Sequence, residues 1–293
     1  MKRGFGRCSP LAGAATSVLI VTGILMFPLA TRINGQSQSL ESIVSRASQY
    51  ATAFVSRFSH VVAEERYEQN MRTTNAALLG SPARRELVAD ILLVKIADTT
   101  GLMLFRDVVE VNRVPLRDRD ERLTKLFLES PSTAAAQAAA ITQESARYNL
   151  GTSRTVNNPF LILAFLQDSY RSHFQFSLAG QDRIDGTAVS VLEYLETGEP
   201  TLIRGPKNAD LPARGRYWID QQDGSVVKAE LVTLDTVQRA KVTVAFRSDE
   251  RFNVRVPKQM DEEYLLRNGS SVTATAKYDR FRQFEVKTDE RVR

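Results

Sequence analysis

The chain is poor in the side chains that most often carry chemistry. It has one cysteine, Cys8, and two histidines, His60 and His173, in 293 residues. One cysteine excludes an internal disulfide framework. Neither histidine has a second histidine or a cysteine near it in sequence, which argues against a zinc or iron site. There is no Gly-x-Ser-x-Gly elbow, no phosphate-cradling glycine loop and no dinucleotide fingerprint. A serine triad built around His173 stays open, although a surface histidine is the far better explanation of the residue. Internal repeats and Gly-, Ser- or Pro-rich linkers are also lacking, and the only biased stretch is alanine-rich, Thr133 to Ala140. Three acidic clusters remain: Glu64-Glu65, Asp118-Arg119-Asp120-Glu121 and Asp261-Glu262-Glu263. Paired carboxylates can serve acid–base catalysis. The middle cluster suits a helix N-terminus, and the other two read as solvated strand faces. The expectation is a protein that is not an enzyme, with no cofactor and no metal.

What is present begins with the N-terminus. Lys2, Arg3 and Arg7 precede an uncharged, apolar run from Leu11 to Ala30, with small or turn-forming residues at Pro28, Ala30 and Gly35. That is the layout of a secretory signal peptide over residues 1–35. An uncleaved membrane anchor is the competing reading, since the run is about 20 residues long. Gly13, Thr16, Thr22, Gly23 and Pro28 dilute its hydropathy and favour cleavage. Export, with the periplasm as destination, is the expected localisation, and membrane contact is then transient or through the uncleaved segment. Cys8 precedes the apolar run and is badly placed for lipid modification, and from Gln36 onward there is no cysteine. Without the four basic residues of the first 35, the formal net charge falls from +5 to +1. The basic balance that would suggest nucleic acid therefore leaves with the signal. Lys277 to Phe284 mixes basic and aromatic residues, but a terminal strand with aromatics inward explains it, and no nucleic-acid partner is expected.

Residues 36–293 read as one domain, long enough for a single large core. Leu40, Ile43, Val44, Ala47, Ala51, Phe54, Val55, Phe58 and Val61 recur at three- and four-residue spacing, so an amphipathic helix starts behind Ser39. Three strands follow, around Ala63–Met71, Leu87–Ile96 and Leu102–Val111. The last two are apolar on both faces, which places them centrally and covered on both sides. Helices are expected at Arg119–Leu128, at Ser132–Leu150 ending on Gly151, and at Phe160–Leu166, capped by Asn158. The last is apolar all round, so it belongs inside something. From Phe174 to Val286 the chain alternates with period two through about seven strands. Asp185-Gly186, Asp223-Gly224 and Asn268-Gly269 mark hairpin turns, and Pro257 marks a bulge or break. Asn268-Gly269-Ser270 also matches a glycosylation sequon, which the hairpin turn explains without modification. The fold class is α+β and mainly antiparallel β.

Gly215-Arg216-Tyr217-Trp218-Ile219-Asp220, the turn at Asp223-Gly224 and then Val226-Val227-Lys228 form a strand–turn–strand step. With Val256-Pro257, Met260 and Tyr264 in a later strand, it resembles the lipoprotein-localisation superfamily of LolA-, LolB- and RseB-like periplasmic proteins. The resemblance implies an incomplete, half β-barrel of about ten strands with helices covering its concave face over an apolar cavity. Candidate ligand-cavity residues are Phe160, Leu163 and Phe165 with Val242, Val244, Phe246, Tyr264, Val272, Ala274 and Ala276, and Trp218 is the natural fluorescent reporter. The expected ligand is an acyl chain, a lipoprotein or another hydrophobic molecule, with Phe160–Leu166 acting as its plug, and an envelope protein is a possible partner. The alternative is a structural or interaction module whose own helices fill the concave face.

Overall fold

The computed structural model describes residues 39–58, 61–74, 83–95, 102–116, 131–151, 154, 156–234 and 238–283. The expected signal segment, His60, the acidic cluster at 118–121 and the helix at 119–128 lie outside the described residues.

The expected apolar stripe builds α1, Leu40–Phe58, which buries Ile43, Val44, Ala47, Ala51, Phe54 and Phe58 on one side. Ser39 caps it by accepting a hydrogen bond from the Ser42 N–H at 3.2 Å. Four strands follow: β1 (Val61–Arg72), β2 (Ala83–Lys95), β3 (Leu102–Val111) and a two-residue β4 (Val114–Pro115). Helix α2 (Pro131–Ala146) and two single turns, α3 (Leu161–Ala164) and α4 (Asp168–Arg171), come next. Seven strands follow among the described residues: β5 (Phe174–Ile184), β6 (Thr187–Glu196), β7 (Arg214–Asp220), β8 (Val226–Leu234), β9 (Gln238–Asp249), β10 (Val254–Leu266) and β11 (Ser271–Gln283).

All eleven strands form one antiparallel sheet in the order β4-β3-β2-β1-β11-β10-β9-β8-β7-β6-β5. The sheet is not closed: β4 and β5 end it, which fits the incomplete barrel that the resemblance implies. Two runs of neighbouring hairpins meet at a seam between β1 and β11, where Glu65 opposes Tyr278 and Tyr67 opposes Ala276. The hairpin signals act as expected. Asp185 and Gly186 take φ of 47° and 83°, the pair of left-handed residues that matches strand twist in a tight turn. The register of β9 and β10 slips between Pro257 and Gln259, where proline cannot donate to the ladder.

One position differs from expectation. β2 and β3 are covered on both faces, with Leu92 and Phe105 buried as well as Leu93 and Leu104, but they lie near one end of the sheet. The exposed margin of β3 is closed by α2. Arg106 N–H donates to Thr142 Oγ1 at 3.1 Å, Val108 N–H to Ser145 Oγ at 3.0 Å, and the Thr142 hydroxyl to Leu104 O at 3.1 Å. Two hydroxyls three residues apart on a helix thus replace part of a missing strand.

Candidate ligand site on the concave face

Period-two alternation sends Val242, Val244 and Phe246 of β9, Tyr264 of β10, and Val272, Ala274 and Ala276 of β11 to the same side of the sheet. α1 and α3 lie over them. Phe54 stacks on Phe58 at 4.9 Å, and Phe160 meets Phe58 at 5.1 Å between centroids. Phe165 stacks on Phe174 at 4.8 Å and meets Tyr194 edge-on. The Tyr217 hydroxyl donates to Ile162 O at 2.6 Å and so ties α3 to the sheet.

All ten candidate residues are buried and belong to one hydrophobic cluster, none more than 5% exposed. The structure brings them together as packed core. Among the described residues, open clefts lie mostly elsewhere. One of about 480 Å³ runs beside α1 past Arg46, Tyr50, Arg57, Asp249 and Arg255, and one of about 640 Å³ lies by Ser177, Glu193, Leu195 and Arg216. Tyr264 and Val272 also border a pocket of about 370 Å³ with Arg239, Lys241 and Glu263. Phe160, Leu163 and Phe165 border none of these. Trp218 sits on the sheet face opposite Tyr217, with its indole N–H on Asp182 at 3.3 Å and the Lys228 ammonium 4.6 Å from its ring. As a reporter, it reads the outer face.

Beside the apolar lining lies a buried polar island that corrects one expectation. Glu64, Glu65 and Glu262 are not on solvated faces; they are exposed by 2%, 0% and 1%. Arg106 from β3 holds Glu65 through Nε at 2.8 Å and Nη2 at 2.9 Å, and its Nη2 also donates to Asn157 O at 2.8 Å. The Tyr278 hydroxyl donates to Glu65 Oε1 at 3.0 Å, and that of Tyr67 to Glu262 Oε2 at 3.0 Å. Arg154 donates to the Tyr67 hydroxyl, to Gln69 Oε1 at 2.9 Å and to Leu150 O at 2.8 Å. Its guanidinium lies 5.1 Å from the Tyr264 ring and 3.7 Å from Glu262 Oε2. The small side chains of Ala274 and Ala276, between β1 and β10, leave room for Gln69, Tyr67 and Glu262.

Burial fixes the protonation of this island. It raises the Glu262 carboxyl above its ordinary value, with Arg154 opposing. It also pushes the Tyr264 hydroxyl well up, and Glu262 adds to the effect. Burial works to lower Arg106, but the Glu65 carboxylate outweighs it and keeps the guanidinium charged. The tyrosine hydroxyls are therefore neutral, and those of Tyr67 and Tyr278 donate to the carboxyls of Glu262 and Glu65. The signal for the island was present in the sequence. Placing Tyr264 inward places Glu262 inward by parity, and Glu65 shares its face with Ala63 and Tyr67.

Among the described residues, no group of three or more His, Cys, Asp and Glu is arranged to hold a metal ion, and no helix is long and apolar enough to cross a membrane. No family model and no curated protein matches the chain. Solved structures do resemble it. A DUF1329 family protein from Desulfovibrio piger is 12% identical, with 85% of this chain and 95% of that one covered and a TM-score of 0.41. A LolA superfamily protein from Nitrosomonas europaea is 13% identical, with 86% and 96% covered and a TM-score of 0.32. The MucA/MucB complex of Pseudomonas aeruginosa gives 9% identity, coverage of 82% and 99%, and a TM-score of 0.21.

Proposed function

We propose that this chain is an exported, non-catalytic protein of the cell envelope that takes an acyl chain or another hydrophobic ligand against the concave face of its half-barrel, as a carrier or a sensor. One observation carries this reading. The inner face is continuous and apolar through β8, β9 and β11, and its cover is an amphipathic helix and one short apolar turn rather than a second sheet. A ligand would enter by local opening of that cover. Binding would then come from apolar area, with α3 and its flanking Phe160 and Phe165 displaced by the ligand. The basic, apolar N-terminus supports export to the periplasm.

A second reading is favoured by the burial of all ten lining residues: a structural or protein-interaction module whose helices fill the face permanently. Uptake of a fluorescent fatty acid, with native mass spectrometry on gently purified protein, separates the two. The carrier or sensor retains lipid mass, and Leu163→Asp changes fatty-acid uptake while the circular dichroism stays native. A clean ligand-free mass with no uptake, or unaltered uptake in a folded Leu163→Asp variant, rejects the carrier.

A further inference from the structure

The two ends of the sheet are treated differently. At one end β4 is two residues long and finishes on Pro115, and the hydroxyls of Thr142 and Ser145 cover the margin of β3. Those are the devices by which natural sheets avoid pairing with other chains. At the other end β5 runs for eleven residues, and among the described residues β6 is its only strand neighbour. Most of β5 is exposed, and Leu178 stands 46% open.

The parity of β5 shows which groups are offered. Thr197 N–H donates to His173 O, so odd-numbered residues here turn their backbone groups to β6. Phe174, Phe176 and Leu178 therefore turn theirs to the open edge, and among the described residues no hydrogen bond to another element reaches them. Beyond Leu178 the edge is spoiled for pairing by a register slip at Gly180, by Asp182 and by Arg183.

We propose that Phe174–Leu178 is a self-pairing edge through which two copies of this chain join as a two-fold dimer. The segment Phe-Gln-Phe-Ser-Leu reads alike from both ends in polarity and carries no charge. Centred on Phe176, an antiparallel pairing sets Phe176 against its copy, Phe174 against Leu178 and Gln175 against Ser177. This register makes each outward-facing residue one of a hydrogen-bonded pair, and no like charges meet. The covered margin at β3 stops growth, so assembly closes at two rather than extending into a fibre. Five paired residues are few, which makes the dimer weak, with a dissociation constant on the order of 10–100 µM.

Gln175 and Ser177 are exposed, so charging them tests the edge without disturbing the core. Sedimentation of the full chain across that concentration range is expected to show a monomer–dimer equilibrium. A chain carrying Gln175→Lys and Ser177→Lys should dimerise about tenfold more weakly, because each pair then sets like charges face to face. So should one carrying Gln175→Glu and Ser177→Glu, and an equal mixture of the two should recover the dimer. In hydrogen exchange, the Phe176 amide should gain protection as wild-type concentration rises. A wild type that stays monomeric overturns the proposal. A dimer indifferent to both charge sets, or an edge that protects Phe176 only on adding an unrelated extended peptide, overturns it equally.

Discussion

Glu262 is 1% exposed, and burial outweighs the pull of Arg154, so its proton is held more tightly in the folded chain than in the unfolded one. Such a carboxyl stabilises the fold below its ordinary value of 4.5, and that contribution is lost as pH rises through the raised folded value. Relative to wild type, Glu262→Gln should therefore gain stability as pH rises above 4.5, until the raised folded value is passed. Thermal melts of the two proteins across that range measure the difference, and a difference that is flat or runs the other way rejects the assignment. Arg106 poses the opposite case, since its charge is matched by Glu65 in a site closed to solvent. Arg106→Ala leaves that carboxylate buried and unpaired, which should cost about 3–5 kcal/mol in urea unfolding. A loss under about 1 kcal/mol, the range of an exposed pair, would mean that water reaches Glu65.

At the scale of the element, α1 is held by area. Phe58 touches Phe54, Phe160, Phe252 and Phe281, so one ring joins the helix to the α3 region and to the last strand. Phe58→Ala should destabilise by about 3–5 kcal/mol, and the concave face should loosen with it. Binding of a hydrophobic dye to the folded variant, above the wild-type level, is the expected reading, and a variant at wild-type stability would show the ring to be peripheral. This element was legible because its period is local. Ile43 through Phe58 announce a helix face, just as Val242, Val244 and Phe246 announce a strand face, without reference to the rest of the chain. The turns at Gly186 and Gly269 were legible for the same reason: left-handed backbone selects the residue. The polar island was harder to read, because whether Glu65 meets solvent or Arg106 is decided by β3, 41 residues away. The fill of the cavity residues was not legible at all. Period gives the face a side chain points to, and only packing says whether space is left in front of it.

For the whole described sheet, the seam between β1 and β11 decides how it comes apart. Each run of hairpins is local, but Tyr278 reaches Glu65 across 213 residues, so the seam carries the long-range closure entropy of the fold. If the seam alone held the runs together, loosening it would let them unfold separately. The core argues otherwise. α1 touches β2, β5 and β10, on both sides of the seam, and the buried cluster runs unbroken from Leu87 to Leu192. Ala276 is buried at the seam between Tyr67 and Met260, and Ala276→Leu should overpack it and cost about 1–3 kcal/mol. Trp218 fluorescence reports the run that ends in β5, and far-ultraviolet circular dichroism reports every strand. Their urea midpoints should coincide in the wild type and move down together in Ala276→Leu, because a helix that spans the seam keeps the runs in one cooperative unit. Two separated midpoints in the variant would show instead that each run holds its own core and that α1 belongs to only one of them.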